Sequence, residues 1–141
     1  MNVINEINNS GWHDWSFDGL VADYDQVTVE ISYNTGEYYN SDGSEKENYS
    51  DERVIIHCHN HIGFSCIGHW DENIIESIKV EKEGNLISSS LMRLKNLYGE
   101  SPYPSSLHKN INSTWYQLNI KLIDGNMVLI ACSGFSMEIG E

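Results

Sequence analysis

The chain has 141 residues, 40% of them hydrophobic, and 21 acidic against 8 basic side chains give it a net charge of -13. That length fits one domain burying roughly 68% of its unfolded surface, and the composition is too apolar for a disordered chain. The carboxylate excess argues against direct nucleic-acid binding and against anionic membrane surfaces, because both depend on lysine and arginine.

The N-terminus, Met1 to Glu6, has no basic region followed by an apolar stretch. No signal peptide is therefore expected, and the cytoplasm is the default location. No apolar run approaches the ~18 residues that a membrane span requires. The first hairpin runs from Phe17–Ala22 through Asp23-Tyr24-Asp25 into Gln26–Tyr33. Val27, Val29, Ile31 and Tyr33 alternate with polar residues, a period of two that sets one face on a core and the other in water.

Residues 34–52 are rich in Asn, Ser, Gly and acids and have no apolar period. They are expected to form a mobile acidic loop. Strands follow at Arg53–His59, Ile62–His69 and Ile74–Glu81. Ile87, Leu91, Leu94 and Tyr98 recur at helical spacing, which predicts one helix near 86–98 with Asn85 as its cap and Gly99 at its end. Pro102 and Pro104 mark a loop to the second hairpin. That hairpin pairs Trp115–Ile123 with Asn126–Cys132 across Asp124-Gly125, two residues that tolerate the turn's positive φ. The fold class is therefore α+β, mainly antiparallel β sheet with hairpins at both ends and one helix, in a single compact domain spanning 1–141.

Three cysteines, Cys58, Cys66 and Cys132, lie in apolar surroundings, and an odd count reads as reduced, buried thiols rather than a disulfide framework. His57, His59 and His61 alternate with other residues and would share one face of a continuing strand. Imidazoles at that spacing suit Zn²⁺, with His69 or an acid as a further ligand. This defines the alternative function, a metal-binding protein or metal-dependent hydrolase. The sequence lacks a glutamate at the spacing a cupin needs, a Cys-x-x-Cys, a His-Glu-x-x-His and a Gly-x-Ser-x-Gly. In the loop around Gly43, Tyr38 and Tyr49 stand where a calcium loop requires carboxylates. His13-Asp14 are adjacent, and on a strand adjacent side chains diverge, so Asp14 is expected in a turn with Trp12 or Trp15 anchoring the first strand.

The remaining feature is charge. The first 52 residues carry acids from Glu6 to Glu52 and a single basic residue, Lys46. A one-signed field of this kind costs stability by self-repulsion and suits docking to a cation. Tyrosines among the acids add contact area at low entropic cost. The partner-binding candidates are Glu37, Tyr38, Tyr39, Asp42, Glu45, Glu47, Tyr49, Asp51 and Glu52.

Small size, acidity and the Tyr38-Tyr39 pair flanked by Glu37, Asp42 and Glu45 resemble bacterial immunity proteins of toxin–immunity systems. The resemblance covers about residues 33–52. It implies a non-enzymatic cytoplasmic inhibitor, with no cofactor, that neutralises a basic toxin, for instance a nuclease, by presenting acids and tyrosines to it. The known nuclease-inhibiting members are small helical proteins, whereas this chain reads as mostly β.

Overall fold

The computed structural model describes residues 2–34, 42–44, 51–68, 73–98 and 114–140. A short helix α1 (Val3–Asn9) precedes strands β1 (Ser16–Ala22), β2 (Gln26–Asn34), β3 (Asp51–His59), β4 (Gly63–Ile67) and β5 (Ile75–Glu81). Helix α2 (Asn85–Tyr98) and strands β6 (Tyr116–Leu122), β7 (Met127–Cys132) and β8 (Gly134–Gly140) complete the order. All strand pairs are antiparallel, in two four-stranded sheets ordered β1-β2-β3-β8 and β4-β7-β6-β5. The architecture is α+β, mostly sheet.

The two sheets share one core because their inward positions alternate in register. Val27, Val29 and Ile31 of β2 and Val54, Ile56 and Cys58 of β3 face Leu118, Ile120 and Leu122 of β6 and Val128, Ile130 and Cys132 of β7. The outward neighbours of these residues are mostly polar, which is why the period of two was readable. The hairpin turn forms at Asp124-Gly125, but only Gly125 takes positive φ, at 91, a region that costs an L-residue roughly 1–2 kcal/mol. Asp124 does not, because the loop spans Ile123 to Gly125 and closes with the Gly125 amide donating to the Leu122 carbonyl at 3.0 Å.

Two devices join the sheets. At one corner β3 passes into β4 through Asn60, at φ 53, while β7 passes into β8 at Ser133. The Ser133 amide donates to the His59 carbonyl at 3.0 Å and the Ile62 amide to the Ala131 carbonyl at 2.9 Å, so both strands turn together. Elsewhere β1 meets β5. Ser16 bridges Ile74, and the Ile75 amide donates to the Trp15 carbonyl at 2.7 Å. The sandwich is thereby partly closed, as a barrel is, which shields strand edges.

Two elements were missed in the sequence. Helix α1 begins at Asn2, whose side chain accepts from the Ile4 amide at 2.9 Å, and it buries Ile7 completely in the core. Strand β8 carries its own alternation, Phe135, Met137 and Ile139, paired opposite Cys58, Ile56 and Val54. Helix α2 packs on the outside of the second sheet, where Ile87 meets Trp115 and Ala131. Its cap differs from expectation. Asn85 is the first helical residue, and the side-chain oxygen of Gln117 on β6 accepts from the Leu86 amide at 3.1 Å. Gly99, Pro102 and Pro104 lie outside the described residues. Among the described residues no helix is long and apolar enough to cross a membrane.

Candidate binding surface

The first sheet concentrates the acids. Asp18, Asp23, Asp25, Glu30, Glu52 and Glu138 on its strands and its β1–β2 turn are all solvent-exposed, and among its described residues Arg53 is the one lysine or arginine. Lys79, Lys82, Arg93, Lys95 and Lys121 all belong to the second sheet, α2 or their connections. Charge is therefore divided between the two halves of the molecule.

Some of these acids also hold the backbone. Asp23 accepts from the Asp25 and Gln26 amides, both at 2.8 Å, and so fixes the β1–β2 turn. Asp42 accepts from the Ser44 hydroxyl at 2.6 Å and the Ser44 amide at 2.9 Å. Those bonds, the hydroxyl's foremost, draw its pKa below the usual value by favouring the charged form. Strand β3 already begins at Asp51, and Glu52 stands opposite Tyr33 in the ladder. Glu37, Tyr38, Tyr39, Glu45, Glu47 and Tyr49 lie outside the described residues.

Of the two described N-terminal tyrosines, Tyr24 is half exposed in the turn, whereas Tyr33 stacks on Trp15 with ring centroids 5.5 Å apart. Trp12 is buried, and its indole N–H donates to the Ile7 carbonyl at 2.7 Å. That agrees with the anchoring role expected for a tryptophan here. Asp14 occupies a turn at φ 73, and because no strand separates the two side chains, His13 Nε2 comes within 3.4 Å of its carboxylate. Both groups are about two-thirds exposed, so the contact is a solvated one of small energetic weight.

The histidine run divides at the end of β3. His57 and His59 occupy the outer face with ring centroids 6.2 Å apart. His57 Nδ1 sits 2.9 Å from the Gln26 amide nitrogen, and its Nε2 lies 3.5 Å from a Glu138 carboxylate oxygen. With Gln26 as donor, Nδ1 accepts and the ring hydrogen is on Nε2, toward the acid. His59 Nε2 contacts the Ser136 hydroxyl at 2.8 Å. The expectation that His61 shares their face is corrected. The strand stops at His59, Asn60 turns left-handed, and His61 Nε2 reaches the Asp23 carbonyl at 2.7 Å. Among the described residues no three His, Cys, Asp or Glu side chains gather closely enough to hold a metal ion. His69 lies outside them.

The thiols separate as well. Cys58 and Cys132 are buried, but Cys66, on edge strand β4, is exposed, contrary to the expectation for all three. β4 is the edge of its sheet and pairs on one side alone, with Cys66 opposite Val128 of β7. No family model, curated protein or solved structure matches this chain.

Proposed function

We propose that this protein is a non-enzymatic cytoplasmic binding protein that captures a basic protein partner, as an immunity-type inhibitor does with a toxin such as a nuclease. The observation that carries the reading is the unequal division of charge. Exposed carboxylates populate the first sheet, whose strands hold Arg53 as their one described cation. Like charges at this density repel one another, and a cationic surface relieves that repulsion on docking. Attraction of this kind raises association to ~10⁸ M⁻¹s⁻¹ or more at low salt, while aromatic contacts at the centre of an interface slow dissociation. The inhibitor then acts by covering the partner's active site or the surface that engages its substrate.

The test is complex formation with a toxin encoded beside this gene, measured across a salt series. Affinity is expected to fall steeply with salt and to weaken on Glu45→Lys, Tyr38→Ala and Tyr39→Ala. Salt-independent affinity would overturn the electrostatic basis. Unchanged affinity in all three variants would remove the 37–52 stretch from the contact.

A further inference from the structure

A cavity of about 320 Å³ opens between α1 with its following turn and the end of the first sheet. Its lining combines Val54 of β3, Met137 and Ile139 of β8, the indoles of Trp12 and Trp15, and the carboxylate residues Glu6 and Glu52. The volume is at the low end for ligand sites, which run to roughly 1,000 Å³, and it suits one side chain rather than a nucleotide. Two acids disfavour an anion. An apolar and aromatic lining disfavours a hydrated metal ion, which needs several oxygen ligands. What fits is an organic cation on an apolar stem.

Three details sharpen the choice. Trp12 is buried with its N–H committed to Ile7, so it backs the wall while the partly exposed Trp15 supplies most of the π surface at the cavity. Trp12 and Trp15 meet edge to face at 5.0 Å, and Tyr33 stacks on Trp15, so the aromatic wall is already rigid and costs little to organise on binding. The ion pairs between described residues involve neither Glu6 nor Glu52. A guanidinium group suits this combination best, because it is planar, stacks on indole and donates to carboxylates from a fixed fork.

We propose that this cavity receives a single arginine side chain from a protein partner, the indoles contacting its guanidinium, Glu6 and Glu52 accepting its N–H groups, and Val54, Met137 and Ile139 packing its stem. The inference rests on the basic-partner reading and assigns that reading a specific anchor. Glu52 directly follows the acidic segment 37–51 in the sequence, so arginine capture and long-range attraction would act at neighbouring positions of the chain.

The probe is a hexa-arginine peptide, with hexa-citrulline as its uncharged isostere, followed by calorimetry and tryptophan fluorescence at low salt. Saturable binding of the arginine peptide alone is expected. Glu6→Gln and Glu52→Gln should each weaken it about tenfold, as loss of a charge-assisted hydrogen bond does. Glu83→Gln, which removes an equal charge from an exposed position before α2, should leave it nearly unchanged. Ile139→Lys, at a position 78% exposed and so tolerant of change, places a competing cation at the cavity and should abolish binding. Equal weakening by Glu83→Gln and Glu52→Gln would overturn the pocket while leaving the basic-partner reading intact. No binding of hexa-arginine to the unaltered protein would overturn both.

Discussion

The side-chain oxygen of Gln117, in the middle of the second sheet, lies 3.1 Å from the amide nitrogen of Leu86 at the start of α2. A residue thirty-one positions away thus caps the helix that its own strand supports. It accepts more weakly from the Ile87 amide at 3.4 Å and donates through Nε2 to Asn119 at 2.8 Å. Helix starts leave such amides without intrahelical partners, so an acceptor from the sheet couples helix formation to sheet formation.

Gln117→Ala should therefore destabilise the protein by about 1–2 kcal/mol, in the range of a lost helix cap. Gly84→Ala should act through the same contact, because a Cβ there would sit 2.0 Å from Gln117 Oε1 and displace it. Chemical denaturation of the single and double variants checks this. The double variant should lose clearly less than the sum of the singles, since both remove one interaction.

Asn8 makes a paired contact with the backbone of β5. Its side-chain oxygen accepts from the Val80 amide at 2.7 Å, and its nitrogen donates to the Val80 carbonyl at 3.2 Å. The side chain thus occupies the place of a neighbouring strand at this edge. Asn8→Ala should cost about 1–3 kcal/mol, the penalty for stranding a partly buried backbone group. Asn8→Asp keeps only the acceptor and should retain part of the stability. Amide exchange at Val80 should accelerate strongly in Asn8→Ala and much less in Asn8→Asp, whose remaining oxygen still accepts from that amide.

The Cys58 thiol is held protonated by its hydrogen bond with Cys132 and by burial, which raise its pKa far above the ordinary 9.0. An unfolded chain releases that proton near pH 9.0, whereas the folded chain retains it. The stabilising effect is thus fully present below that pH and is lost as pH rises through and beyond it. Denaturation midpoints should decline above pH 9.0, and Cys58→Ala should remove that component of the slope while lowering stability at neutral pH by about 1 kcal/mol.

The same burial separates the thiols kinetically. One cysteine per chain, Cys66, should react with a thiol reagent in the native protein, and Cys58 and Cys132 only after unfolding. Partial burial raises the Cys66 pKa, so its reaction should be slower than that of a free thiol at the same pH. Cys66→Ser should remove the native reaction.

Much of the fold was legible because periodicity and turn chemistry are local. Val27, Val29 and Ile31 alternate whatever they pack against, and Asp124-Gly125 permits positive φ wherever it stands. The recurring apolar residues of α2 likewise required no knowledge of the sheet. Helix α1 was missed because seven residues carry too little period to declare a helix, although Asn2 before Val3, Ile4 and Ile7 was a usable signal. Strand β8 was missed although Phe135, Met137 and Ile139 alternate plainly, since its partner is the distant β3 and not the hairpin that precedes it.

The candidate surfaces were legible only in part. The acid count and its weight toward the first third are properties of the chain alone. That Phe64 and Cys66 are exposed on an edge strand is a property of sheet order, which no single segment encodes.

By itself, then, the sequence determined the sign of the field, the strand faces, the hairpin turns and the main helix, because each follows from nearest neighbours along the chain. Tertiary structure alone decided which histidines share a face, how Gln117 reaches Leu86, and that Glu6 and Glu52 line one cavity with two indoles. These depend on strand order, on the left-handed turn at Asn60 and on the closure of β1 onto β5, where contacts between distant residues outweigh local preference.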